Sequence, residues 1–398
     1  MTTTTRIRAG IPAIGLLIAV AALEAQQPQE RDDALLLRRL ESRLADLQAA
    51  SGAPGATAGV VLPDGTVFAL AAGTADTTLG VAMTPSSRLL QGSVGKTYVA
   101  AVAMQLVHEG LLDLDANVSH YLGDEPWYTR LPNHADITVR QLMNHTSGII
   151  RYEFNEQFLI DLLGDPDRVW RPEEQLAYLF DTEAPFPAGE GWDYSDTNYI
   201  ILGMIIERLT GRAYYDEMQR RVLDPLALEN TVPSNSRRIP GLVQGYAGVG
   251  NPLGVPDQVI VDGEFVINPQ FEWTGGGIAS TSEDLARWAM ALYEGRAFDP
   301  AMLPVMLEAV PARLGPGAEY GLGVIVRSTP LGTSWGHSGF FPGYLTEMAY
   351  FPDYGIAVAV QINSSDFPRL EMSPGRMLLQ LAQLVAEEIA QPSVPSQQ

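Results

Sequence analysis

The sequence predicts an α+β fold: an antiparallel sheet flanked by helices, carrying a mainly helical second lobe. Three observations predict it. Strand-like runs joined by tight turns occur near both ends of the chain. The stretch between them is dominated by apolar residues at helical spacing. The 398 residues, 46% of them hydrophobic, suffice for more than one core. Strands from the two ends that pair with each other would form one sheet, with the middle of the chain inserted as a second lobe and a cleft between the two. The expected division is a sheet lobe of about residues 30–100 and 310–398 and a helical lobe of about 110–300.

In chain order, residues 1–25 read as a secretory leader. Arg6 and Arg8 form a basic start, Ile11 to Leu23 an apolar run, and Ala22 and Ala25 offer small residues for cleavage. The run is shorter than the roughly 20 residues needed to cross a bilayer. The expected product is therefore residues 26–398, periplasmic or extracellular, with no stable membrane span. Leu36, Leu40, Leu44 and Leu47 predict a helix over 31–50, ended by Gly52 and Pro54. Strand-like runs over 56–62 and 66–72 flank Asp64-Gly65, a dipeptide that supplies the positive φ values of a tight hairpin. From about 100 to 310 the period is mostly helical, with Gly110, Gly148, Gly211 and Gly295 where helix stops are expected. Tyr344 to Phe351 and Ile356 to Ile362 predict a second hairpin about the turn Pro352-Asp353-Tyr354-Gly355, and a helix from about Ser373 to Ala390 follows.

Composition narrows the chemistry. The chain has no cysteine, which excludes a disulfide scaffold, a thiolate metal site and a cysteine nucleophile. Its net charge of −22, about −23 without the leader, repels phosphate backbones and anionic membranes, so no nucleic-acid partner is expected. His108, His120, His134, His145 and His337 show no paired spacing on one helix, so no catalytic zinc is expected. Neither Gly275-Gly276-Gly277 nor the glycines of 245–254 make a nucleotide fingerprint. No cofactor is expected, and the partner is a small molecule or short peptide.

Among 25 basic residues only Lys96 is lysine, and it stands three residues after Ser93, at the start of an apolar helix that ends near Gly110. Spacing of one turn puts both side chains on one face. A serine hydroxyl needs a neighbouring base, and a lysine whose pKa is lowered towards neutrality can serve, whereas arginine cannot lose its proton. A Ser-His-Asp elbow fits less well, because Gln91 stands where its first glycine belongs. The second element, Trp192 to Tyr199, precedes another apolar helix: Tyr194 can relay a proton, and Asp196 and Asn198 can cap the helix or face the cleft. Taken alone it fits a structural tyrosine and a helix cap better. The third, Gly336-His337-Ser338-Gly339, offers a strand edge that can accept an extended substrate and donate an N–H to an oxyanion, or else a glycine-bounded turn with a surface histidine.

Together, the order and flanks of these elements resemble the serine β-lactamase and penicillin-binding superfamily, in particular class C β-lactamases, D-alanyl-D-alanine carboxypeptidases and related esterases. The resemblance covers most of residues 26–398 and includes LVHEGLLDLDANVSHYL, ITVRQLMNHTSGI, YSDTNYIILGMIIERLTG, GGGIASTSEDLARW, YGLGV and GHSGFFPGY. It implies a β-lactamase/transpeptidase-like fold and an acyl-enzyme at Ser93, with Lys96 as proton acceptor and Tyr194 as general acid/base. It further implies an oxyanion hole from the N–H groups of Ser93 and Phe340, and His337 positioning the tyrosine or a substrate carboxylate. Asp196, Ser338, Gly339 and Phe340 would touch substrate. Members that recognise penicillin usually carry Asn where this chain has Asp196, and a carboxylate only accepts. Arg327 stands near the place where similar carboxypeptidases hold a terminal carboxylate, and Phe340 and Phe341 give an apolar rim. The resemblance implies a D-alanyl-D-alanine carboxypeptidase-like activity on cell-wall peptide or a D-amino-acid amide. A short-chain esterase, a β-lactamase, or a non-catalytic penicillin- or peptide-binding sensor are the alternatives.

Overall fold

Leu36, Leu40, Leu44 and Leu47 are all buried on one side of helix α1 (Asp33–Ser51). Asp32 caps that helix by accepting from the Leu35 N–H at 2.9 Å, and Gly52, in the left-handed region, ends it. The computed structural model describes residues 1–3 and 31–390, so the leader expected over 1–25 lies, from residue 4 on, outside the described residues.

The main sheet has nine antiparallel strands. From the N-terminal segment come β1 (Gly55–Val61), β2 (Val67–Asp76) and β3 (Val81–Ala82). From the C-terminal segment come β4 (Val310–Pro311), β5 (Glu319–Tyr320), β6 (Ile325–Thr329), β7 (Gly332–Phe341), β8 (Tyr344–Phe351) and β9 (Ile356–Ile362). Their order is β3-β2-β1-β9-β8-β7-β6-β5-β4, and the two segments join where β1 pairs with β9, Ala56 opposite Ile362 and Val61 opposite Ala357. The strands alternate between two cores, as the period of two requires. Ala56, Ala58, Val60, Leu345, Ala349 and Phe351 pack with α1 and the C-terminal helix (Pro374–Ala390). Tyr344, Met348 and Tyr350 face the larger core formed with the central helices. Both faces are covered, which is why β1 and β9 are buried throughout.

Three central helices matter for the site: α2 (Lys96–His108), α3 (Asp196–Thr210) and α4 (Ser282–Tyr293). The expectation of a mostly helical middle holds only in part. Among the described residues no α-helix lies between Leu223 and Ser282. Pro240, Gly241, Gly245, Gly248, Gly250, Pro252, Gly254 and Pro256 break helical runs there, and the chain proceeds through loops, strands of two or three residues and one 3₁₀ helix, Pro269–Gly275. No described helix is long and apolar enough to cross a membrane.

Candidate active site

Ser93 lies in a single 3₁₀ turn, Gly92–Gly95, that leads directly into α2. Strand β7 passes this turn with backbone against backbone. A Cβ on Gly339 would stand 1.9 Å from the Gln91 carbonyl oxygen, and one on Gly92 2.3 Å from the Phe340 oxygen and 2.8 Å from the Phe340 nitrogen. Gly92 also has φ +51°, in the region that side chains disfavour. Glycine at both places therefore lets the Phe340 N–H approach the nucleophile's turn. Gly339→Ala is expected to lose about 3 kcal/mol of stability in urea unfolding, the upper range for an overpacked site. A loss below about 0.5 kcal/mol would show that β7 can move away freely.

On its far side β7 is only half paired. Strand β6 matches Gly332 to Gly336, so His337 to Phe341 have no strand partner on that side. This stretch borders a cavity of about 490 Å³ that also exposes Ser93, Tyr194, Phe271 and Glu272. The expected open strand edge is present, beside the serine.

Lys96 is fully buried, and its three donors are used. The ammonium donates to Ser93 Oγ at 3.1 Å, to the Gly275 carbonyl and to the Asp196 carboxylate. Burial disfavours the charge on Lys96, but Asp196 and, after it, Tyr194 together outweigh burial and raise its pKa. The expectation of a lysine lowered towards neutrality is thus corrected: Lys96 is an ammonium, because position 196 is an aspartate. Asp196 opens α3, and Arg151 Nη2 donates to its other oxygen at 2.6 Å. Burial opposes ionisation of Asp196, yet Lys96 and Arg151 together hold it below the usual carboxylate range.

The Tyr194 hydroxyl is buried near Ser93 and Lys96 without a well-aligned hydrogen bond to either, and Lys96 Nζ lies 5.0 Å from its ring centre. Burial raises its pKa against the opposing pull of Lys96, so it is a neutral phenol. His337 departs from expectation. Its Nδ1 meets the Ser338 carbonyl oxygen at 2.6 Å, so this nitrogen carries the proton, and its Nε2 accepts from the Tyr320 hydroxyl at 2.8 Å. Burial lowers it to about 3, helped by Lys96. A neutral ring with both nitrogens engaged has no donor left for a substrate carboxylate, and its centre is 6.4 Å from that of Tyr194. Ser338, Gly339 and Phe340 border the cavity as expected. Arg327 is spent elsewhere: Nη1 donates to Glu347 at 2.9 Å and Nη2 to Ser338 Oγ at 3.3 Å.

Sequence reasoning missed Arg151, Glu153 and Glu272, which come from short 3₁₀ turns, Tyr152–Phe154 and Pro269–Gly275, and the residue before the first, with no spacing signal of their own. Arg151 Nε donates to Glu153, whose carboxyl is pushed well above its usual range by burial and by the Asp196 charge. His145, read as a turn residue, does hold a turn, at φ +63°. It also packs its ring 4.2 Å from Tyr194, while Nδ1 accepts from the Ser195 N–H at 3.3 Å and faces the Asn198 amide at 3.1 Å. Its role as a support of Tyr194 was invisible in the sequence because it arises only when two loops meet.

A family model described as Beta-lactamase matches residues 40–382. Penicillin-binding protein 4* of Bacillus subtilis is 26% identical over 270 residues, 66% of this chain, and the aligned region spans 57% of that relative's length. A D-stereospecific amidohydrolase from Streptomyces sp. is similar in structure, with a TM-score of 0.70 and 28% identity over 91% of this chain and all of the other. A D-amino acid amidase from Ochrobactrum anthropi SV3, complexed with D-phenylalanine, has a TM-score of 0.74 and 26% identity over 89% of this chain and 99% of the other.

Proposed function

The chain belongs to the Beta-lactamase family, and from that premise we propose that this serine hydrolase cleaves D-aminoacyl amide bonds through an acyl-enzyme at Ser93. The observation that carries the proposal is the 3.1 Å contact of Ser93 Oγ with Lys96, set beside an unpaired strand edge. Ser93 Oγ attacks the substrate carbonyl carbon, and its proton passes to Lys96 in the minor population in which the amine is neutral. The oxyanion receives the N–H groups of Ser93 and Phe340. Tyr194 protonates the departing nitrogen; in the second half-reaction the Tyr194 phenolate takes a proton from water as the water oxygen attacks the acyl carbon, and Lys96 returns its proton to Ser93 Oγ as the acid departs. Supporting the D-configured substrate are the two similar structures, a D-stereospecific amidohydrolase and a D-amino acid amidase. The leader expected over 1–25 would place the enzyme outside the cytoplasm, where short cell-wall peptides are a source of such bonds.

A second reading, hydrolysis of short-chain esters, is favoured by the apolar walls of the cavity, to which Leu253, Phe271, Phe340 and Phe341 contribute. Parallel assays separate the two: D-phenylalaninamide hydrolysis, D-alanine release from a D-Ala-D-Ala peptide, nitrocefin opening and p-nitrophenyl butyrate hydrolysis. The expected result is turnover of the D-amide above that of its L-enantiomer. Turnover of the butyrate alone, with the D-amide and the peptide neither reacting nor competing, would replace the amidase reading by the esterase one.

A further inference from the structure

Glu272 borders the cavity that holds Ser93 and has no ion-pair or hydrogen-bond partner among the described residues. The other ionised or imidazole groups on that wall have partners, Asp196 in Lys96 and Arg151 and His337 in Tyr320 and the Ser338 carbonyl, while Glu153 holds Arg151 through one oxygen and leaves its other, like the Tyr194 hydroxyl, without a hydrogen bond among the described residues. Its position is next to the nucleophile's turn. A Cβ on Gly276 would be 2.9 Å from Glu272 Oε2 and 2.4 Å from the carbonyl oxygen of Gly92, the residue before Ser93. Glu272 and Ser93 thus border one cavity, with the Glu272 carboxyl set against the turn that carries the nucleophile. Burial and the Asp196 charge push Glu272 up to about 8, against Lys96 and Arg151, so it is a carboxyl lacking the partner that its ionised form requires.

We infer that Glu272 binds the free α-ammonium of the substrate's acyl residue. The preferred substrates are then D-aminoacyl amides or esters with an unblocked amine, with Phe154, Phe271 and Phe340 taking an apolar side chain, rather than N-acylated peptides that end in a carboxylate. This inference rests on the amidase reading above and narrows its substrate class. The commitment of Arg327 to Glu347 agrees with it, since that arginine is not available for a terminal carboxylate.

The test compares D-phenylalaninamide with N-acetyl-D-phenylalaninamide by calorimetry at pH 7, in Ser93→Ala protein with Glu272 present or replaced. The free amine is expected to bind at least about tenfold more tightly than the acetylated ligand, the scale of one charge-assisted contact. Glu272→Gln should bring that ratio close to one, and Glu272→Asp should restore part of it. A ratio unaltered by Glu272→Gln, or no preference while Glu272 is present, overturns the inference. The amidase reading fails by a different observation, the absence of a covalent fluorophosphonate adduct on Ser93 in the unsubstituted protein.

Discussion

Lys96→Arg protein is expected to fold and yet to acylate Ser93 at least about a hundredfold more slowly than the unsubstituted enzyme, the usual scale for a lost general base. The guanidinium can keep the charge that Asp196 balances, so the buried pair need not be left half empty. It cannot surrender a proton at any pH at which the protein is folded, and so cannot receive the one on Ser93. Burst-phase release of p-nitrophenol from a D-aminoacyl ester measures the step. A rate within about threefold of the parent would mean that Lys96 contributes charge alone and that the proton leaves by another route.

Asp196→Asn protein is expected to shift the acid limb of kcat/KM to lower pH by at least about one unit, which near neutrality raises ester acylation about tenfold. The reasoning is one of sign. Burial, the largest single effect, lowers the Lys96 pKa, and Asp196 and Tyr194 raise it and together prevail in the parent. With an amide in place of the carboxylate, burial is opposed by Tyr194 without the aspartate, and the neutral amine is populated at lower pH. Stability responds in the opposite sense. In the parent, the raised Lys96 contributes stability that is full below the ordinary lysine value of 10.5 and is lost as pH rises through the folded value. In the Asp196→Asn protein the folded value lies below 10.5, so stability is lowest in acid and recovers as pH rises towards 10.5. Leaving two cations without their carboxylate costs about 3–5 kcal/mol at the acid end. Urea midpoints across pH 5–10 and a kcat/KM profile over the same range check both halves. An unmoved acid limb would show that Lys96 deprotonation does not control the rate.

How much of this was legible follows from how each signal arises. The terminal helices and both hairpins were readable because their periodicity is local: the four leucines of α1, Asp64-Gly65, and the runs of β8 and β9 state their structure within a few residues. The segment between Leu223 and Ser282 was misread as helical because its glycines and prolines are spread among apolar residues that tertiary contacts, and not a helix period, bury. Ser93, Lys96 and Tyr194 stood out by rarity and order, and the structure brings them together. The ionisation of Lys96 was not readable. It depends on Asp196 lying against it across 100 positions of sequence, and on Arg151 holding that carboxylate from the other side. His337 misled for a related reason: the motif gives its place beside the strand edge, whereas its hydrogen bonds to Tyr320 and Ser338 decide what it can donate. Glu272 had no motif at all, and only the cavity gives it a meaning.

The central claim is that Ser93 carries the acyl group, and the most direct measurement of it is intact mass after a brief reaction with a D-aminoacyl p-nitrophenyl ester, followed by mapping of the modified peptide. The account predicts a single adduct of the acyl mass on the peptide that contains Ser93, formed in the unsubstituted protein and absent from Ser93→Ala. An adduct of the same mass that persists in Ser93→Ala, or that maps to another residue of the cavity, would contradict it.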